Sequence, residues 1–220
     1  VRNPDFPRKL LIRLLPLGLS ILGAGFLQAQ DNGPQEVFLK AVASFNAGKY
    51  SKAQEGFLNV LKDDADNLKA HFYLGLIKYE ENLLPEASAY FEWVLKHDPN
   101  MPVVRYYMGR VAYDQGKWEK AQTELATANQ LDPGISMVHY YLGLSLYKLK
   151  DIEGSKEEFQ KALELEPTLS KAHYALAFLD LRDLKDPKSA KNEIQAGLKA
   201  KPDAKLKAKF LKLKKECGRK

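Results

Sequence analysis

Phe38, Phe72, Tyr106, Tyr140 and Tyr174 stand 34 residues apart, and that interval constrains the chain more than any other feature. It is about the length of one helix, a tight turn and a second helix, a pair that cannot bury its own apolar face and must stack on copies of itself. The period divides the chain from Pro34 onward into units 34–67, 68–101, 102–135, 136–169 and 170 to about 203, the last carrying one extra residue.

Within the units, recurring residue types have mechanical reasons. Leu74-Gly75, Met108-Gly109, Leu142-Gly143 and Leu176-Ala177 pair an apolar knob with a small residue that lets the neighbouring helix approach closely. The first unit has Lys40-Ala41 there, as an end cap requires. Gly48, Asn82 and Gly116 suit a left-handed turn between the helices, whereas Lys150 implies either strain or a looser turn. Tyr50, Leu84, Trp118 and Ile152 lead into the second helices. Ala53, Ala87, Ala121 and Ser155 permit close packing there, and Phe57, Phe91, Leu125, Phe159 and Ile194 fill the core. Pro99, Pro133, Pro167 and Pro202 stop the second helices, with Ala65 in that place in the first unit.

This pattern resembles the tetratricopeptide repeat, most closely in YYMGRVAYDQGKWEKAQTELATANQLDP and YYLGLSLYKLKDIEGSKEEFQKALELEP, and the resemblance covers about residues 34 to 203. It implies an all-α fold, a right-handed α-solenoid of five helix-turn-helix repeats, whose first helices line a concave groove where partner peptides lie. Residues 204–220 are expected to form a basic amphipathic capping helix and tail, with Leu206, Phe210, Leu213 and Cys217 on one stripe and lysines on the wet side.

On that reading the groove carries two aromatic ladders, Phe38, Phe72, Tyr106, Tyr140 and Tyr174, and then Phe45, Tyr79, Tyr113 and Tyr147, ending in Leu181. The rows are two helical turns apart and share a face. Between them lie Val42, Leu76, Arg110, Leu144 and Phe178, an apolar strip with one cation. Aromatic rings offer large area with few rotatable bonds, so the expected ligand is an extended or helical apolar-aromatic segment of a protein. The same rings can also serve as packing between helices. The family's clamp for acidic chaperone tails is missing, since Val42 and Leu76 stand where its asparagines would be.

The formal charge of +6 resides at the ends: residues 203 to 220 carry eight Lys/Arg against Asp203 and Glu216, residues 1 to 29 four against Asp5, and the span between is mildly acidic. Such a body offers no broad field for phosphate backbones, which disfavours nucleic acid as a partner. The lone Cys217 excludes an internal disulfide framework.

Arg2, Arg8, Lys9 and Arg13 precede the 14-residue apolar run from Leu14 to Leu27, the layout of a secretory signal over residues 1–29, followed by a short linker 30–33. Cleavage after Ala29 is expected, with Gly25 a second place. The rival reading is an uncleaved anchor extended back through Leu10 to Ile12. Either way the repeats are expected outside the cytoplasm, in a bacterial periplasm or membrane-anchored and facing outward.

His71, His139 and His173 recur in step, but helix spacing separates them, so they are expected to pack and not to share a metal. Trp93, whose counterparts Asn59, Thr127 and Lys161 are polar, is expected on the convex face, as a second contact or flat over the Pro99 turn. No nucleophile elbow, phosphate loop or metal-binding helix is found, so neither catalysis, cofactor nor small-molecule substrate is expected. The sequence therefore reads as a non-catalytic adaptor of the cell envelope. The alternative is a membrane-tethered assembly component whose basic tail touches anionic lipid.

Overall fold

The computed structural model describes residues 33–218; the expected signal segment lies outside them. Eleven helices and no strand are found among the described residues. They group into two compact units that divide between Pro99 and Asn100.

The first unit holds two helix pairs: α1 (Gly33–Asn46) with α2 (Tyr50–Asp63), and α3 (Leu68–Glu80) with α4 (Leu84–His97). Its core is made by Phe57 and Phe91, with Ala53 and Ala87 permitting the close approach between helices. Phe57 stacks on Tyr73 of the next pair at 4.8 Å between centroids.

The second unit holds three pairs and a single helix. The pairs are α5 (Pro102–Asp114) with α6 (Trp118–Leu131), α7 (Ser136–Lys148) with α8 (Ile152–Leu165), and α9 (Ser170–Arg182) with α10 (Pro187–Lys199). The single helix is α11 (Ala204–Cys217). Helix starts follow local chemistry: Asn67, Asp151, Asp186 and Asp203 accept hydrogen bonds from backbone N–H groups of the first turn, and Pro102 and Pro187 stand where no N–H is needed. Leu125, Phe159 and Ile194 are buried as the period requires. Gly143 shows why its position is small, because an added Cβ would lie 2.7 Å from Phe159 Cε1 and 3.1 Å from the Ser155 carbonyl. The buried Ser155 hydroxyl donates to the Gly143 carbonyl at 2.8 Å, so the one polar residue in the small series is satisfied across the same contact.

The turn within each of the first four pairs is closed alike. In the fourth, Lys150 N–H donates to the Tyr147 carbonyl at 3.1 Å and Asp151 N–H to the Leu146 carbonyl at 3.0 Å, the Schellman arrangement. It needs a left-handed residue, and Gly48, Asn82, Gly116 and Lys150 have φ of 74°, 61°, 75° and 70°. Lys150 thus accepts the strain. In the fifth pair the left-handed residue is Lys185, φ 57°, one place later than the period gives, so the extra residue lies between α9 and α10.

Helix α11 takes the seat of a further first helix. An aromatic step joins one first helix to the next: Phe38 to Tyr73 at 5.8 Å in the first unit, Tyr106 to Tyr141 at 5.9 Å in the second. Tyr174 to Phe210 repeats it at 5.4 Å. Phe210 and Leu213 are buried against Ala177, Leu181, Ala190 and Ile194, with Leu206 and Cys217 packed beside them. In that register Leu211 and Lys212, both exposed, stand where other first helices carry the knob and its small residue.

Candidate functional site

The first helices carry the ladders, and depth of burial divides them. Phe72, Tyr79, Tyr106 and Arg110 are buried. The Arg110 guanidinium lies 5.5, 5.4 and 5.0 Å from the ring centroids of Tyr106, Tyr107 and Tyr141, a cage of ring faces that stabilises a cation withdrawn from water. The sequence pattern places Arg110 as an open cation in the strip; at 1% exposure it is an interior one.

In the first unit Phe38 is half-buried, edge-on to Phe57 and Tyr73 at 5.6 and 5.8 Å. The second unit keeps more of its ladder at the surface. Tyr113, Tyr140, Leu144, Tyr147, Tyr174 and Phe178 are half-buried, each ring resting on another. Tyr113 meets Trp118 at 5.0 Å, Tyr140 meets Tyr141 at 5.3 Å, and Tyr147 meets Phe178 at 6.2 Å. These contacts fix the rotamers, so the parts of the rings that reach the surface form a preorganised face on α7 and α9. Packing and presentation are done by the same side chains.

Burial raises the phenol pKa of Tyr113, Tyr140, Tyr147 and Tyr174, and at Tyr147 the Asp183 carboxylate adds to it. These hydroxyls therefore stay neutral and able to donate and accept at physiological pH. The Tyr147 hydroxyl donates to Asp183 Oδ2 at 3.2 Å. Cations rim the face: Arg182 lies over Phe178 at 5.9 Å and Lys209 over Tyr174 at 5.7 Å.

A second recurring constellation escapes a reading of the sequence alone. His139 Nδ1 donates to Glu158 Oε2 at 2.6 Å and His173 Nδ1 to Glu193 Oε2 at 2.7 Å, while Arg105 Nη1 donates to Glu124 Oε2 at 2.9 Å in the equivalent place. Each rung ties the first helix of a pair to its second. The His173 Nε2 also donates to the Pro167 carbonyl at 3.0 Å, holding the preceding turn. Burial works against a charge on His173, but the bonds to Glu193 and Pro167 outweigh it and raise its pKa. Burial likewise opposes the charge on Glu158, yet hydrogen bonds from His139 and Lys161 bring its carboxyl below the ordinary range. The signal is present in the sequence as Glu124, Glu158 and Glu193, one period apart once the extra residue is counted.

In the first unit Tyr90 replaces that glutamate, and the rung is made differently. His71 Nε2 donates to the Ala65 carbonyl at 2.9 Å, and its ring stacks on Trp93 at 3.6 Å. His97 covers the other indole flank at 3.9 Å. Trp93 is thus half-buried between two imidazoles. Among the described residues no three His, Cys, Asp or Glu side chains gather as a metal would need, and no helix is long and apolar enough to cross a membrane.

Stacked helix pairs with small-residue contacts, Schellman turns and an aromatic first-helix face define an all-α solenoid of the helical-repeat class. Tetratricopeptide-repeat models match residues 38–102, 78–140 and 136–169, and the chain belongs to that family. Its repeats make it a protein–protein interaction scaffold in the broad sense. Among solved structures it is similar to PilF of Pseudomonas aeruginosa, with 21% identity, TM-score 0.77, and 86% of this chain and 84% of that one covered. It is also similar to a thermophilic tetratricopeptide-repeat protein of Thermus thermophilus, with 21% identity, TM-score 0.67, and coverage of 82% and 98%. MamA of Desulfovibrio magneticus gives 21% identity, TM-score 0.67, and coverage of 76% and 94%. At these identities the likeness is one of fold. Comparison with curated proteins gives no match.

Proposed function

We propose that the chain is a non-catalytic adaptor of the cell envelope that holds an apolar-aromatic peptide segment of a partner protein against the face on α7 and α9. The observation that carries this reading is the partly buried, ring-locked set Tyr140, Leu144, Tyr147, Tyr174 and Phe178. Rings held in one rotamer lose little entropy on binding, and neutral phenols can bond a peptide backbone. The arginine-and-lysine head before the apolar run Leu14–Leu27 supports export.

The test is selection of displayed peptides on the full chain, followed by affinity measurement on Leu144→Ala, Tyr147→Ala and Phe178→Ala. Apolar-aromatic peptides are expected, with affinity little changed by salt and lowered about ten- to thirty-fold by the variants. Peptides that bind all variants as well as the parent overturn the site. N-terminal sequencing of the chain expressed in a bacterium tests export: a mature end at Gln30 or Phe26 supports it, and an unprocessed chain in the cytoplasm overturns it.

A further inference from the structure

We propose that the outer face of α11 is a docking surface for an anionic lipid bilayer. Three observations carry this, all separate from the aromatic face. First, α11 sits as a first helix does, yet the side that a second helix would cover is left exposed, with Ala204, Ala208, Leu211 and Lys212 along it. Second, this outer line is a low apolar ridge, Ala204, Ala208 and Leu211, that runs into Lys215 and is flanked by Lys207 and Lys214 on one side and Lys205 and Lys212 on the other. A 14-residue helix of this kind, about 21 Å long, is suited to lie in the plane of a headgroup layer with Leu211 entering it.

Third, the positive charge is not answered by acids among the described residues. Residues 185–218 hold eleven lysines against four acids. All four acids have internal work. Asp186 and Asp203 cap α10 and α11, Glu193 is bonded to His173, and Glu216 is bonded to Arg182. The exposed lysines of α11 therefore project a field that an anionic surface would complement.

The composition also distinguishes one anionic surface from another. Helix α11 itself contains no arginine, Arg182 being tied to Glu216 and Arg219 following the helix in the sequence, and its one aromatic, Phe210, is buried. Strand recognition relies on guanidinium forks and stacking rings, whereas clustered lysines beside a small apolar ridge suit lipid headgroups.

The experiment is co-sedimentation of the full chain with vesicles of phosphatidylcholine alone and of phosphatidylcholine with roughly 30% phosphatidylglycerol, an anionic fraction that gives a substantial surface potential. Three proteins are compared: the parent, a variant with Lys207, Lys212, Lys214 and Lys215 changed to Gln, and a control with Lys49, Lys52, Lys62 and Lys96 changed to Gln. These lysines are all exposed, and thermal melts check that each variant folds. The parent and the control are expected to partition onto the anionic vesicles, and the α11 variant to partition at least about a hundred-fold less. Equal loss in both variants, no difference between parent and α11 variant, or displacement from vesicles by an oligonucleotide at equal phosphate concentration each overturns the assignment.

Discussion

His173 Nδ1 and Glu193 Oε2 meet at 2.7 Å and join the first helix of the last repeat to its second. Because the folded pKa of His173 is raised, its contribution is fully present below the unfolded value of about 6.5 and is lost as pH rises through the folded value. Lys171 acts in the opposite sense nearby. Burial brings its pKa to about 8, so from about there upward the fold gains relative to the unfolded chain. Comparison with His173→Gln separates the two. The variant is expected to lose about 1–3 kcal/mol at pH 6 and less at higher pH, in denaturant titrations across that range. A loss independent of pH would remove the charged rung from the account.

Lys150 occupies a left-handed turn position that Gly48 and Gly116 fill without a Cβ penalty. Lys150→Gly is expected to stabilise the second unit by about 0.5–1 kcal/mol, since relief of a cost of about 1–2 kcal/mol is partly offset by glycine's unfolded-state entropy. The denaturation midpoint reads this directly.

Gly143→Ala forces a methyl group against Phe159 and the Ser155 carbonyl. A loss of about 1–3 kcal/mol is expected from overpacking. Ala177 occupies the equivalent place in the cluster that holds the smaller Ile194, so Phe159→Ile combined with Gly143→Ala should recover part of that loss. A double-mutant cycle measures the coupling.

Phe210→Ala removes the ring that seats α11 against Tyr174 and the Ile194 cluster. About 3–5 kcal/mol is expected to be lost, with hydrogen-exchange protection falling first in α9 to α11. Protection unchanged there would mean that α11 does not stabilise the last repeat.

The repeat was legible because its rules are local and periodic: a small residue at each close contact, a left-handed turn, a proline stop. Phe57, Phe91, Leu125, Phe159 and Ile194 all prove buried. Periodicity says which way a side chain points but not how deep it lies. Phe72 and Tyr140 hold equivalent positions, yet one is fully buried and the other only partly. Arg110 shows the same limit, because its three tyrosine partners lie on two helices and only stacking brings them to one cation. The histidines were legible as a series, but not as rungs, since their glutamates are 19 or 20 residues away on the second helix.

Leu211 and Lys212 hold the places of a knob and its small residue, and this sets how such an array can change length. A second helix brought against α11 would press onto a lysine side chain where its counterparts find only a hydrogen atom or a methyl group. Growth by addition at that face is sterically closed. Duplication of a 34-residue unit upstream of Ala204 meets no such barrier, so lengthening by insertion is open where lengthening by extension is not.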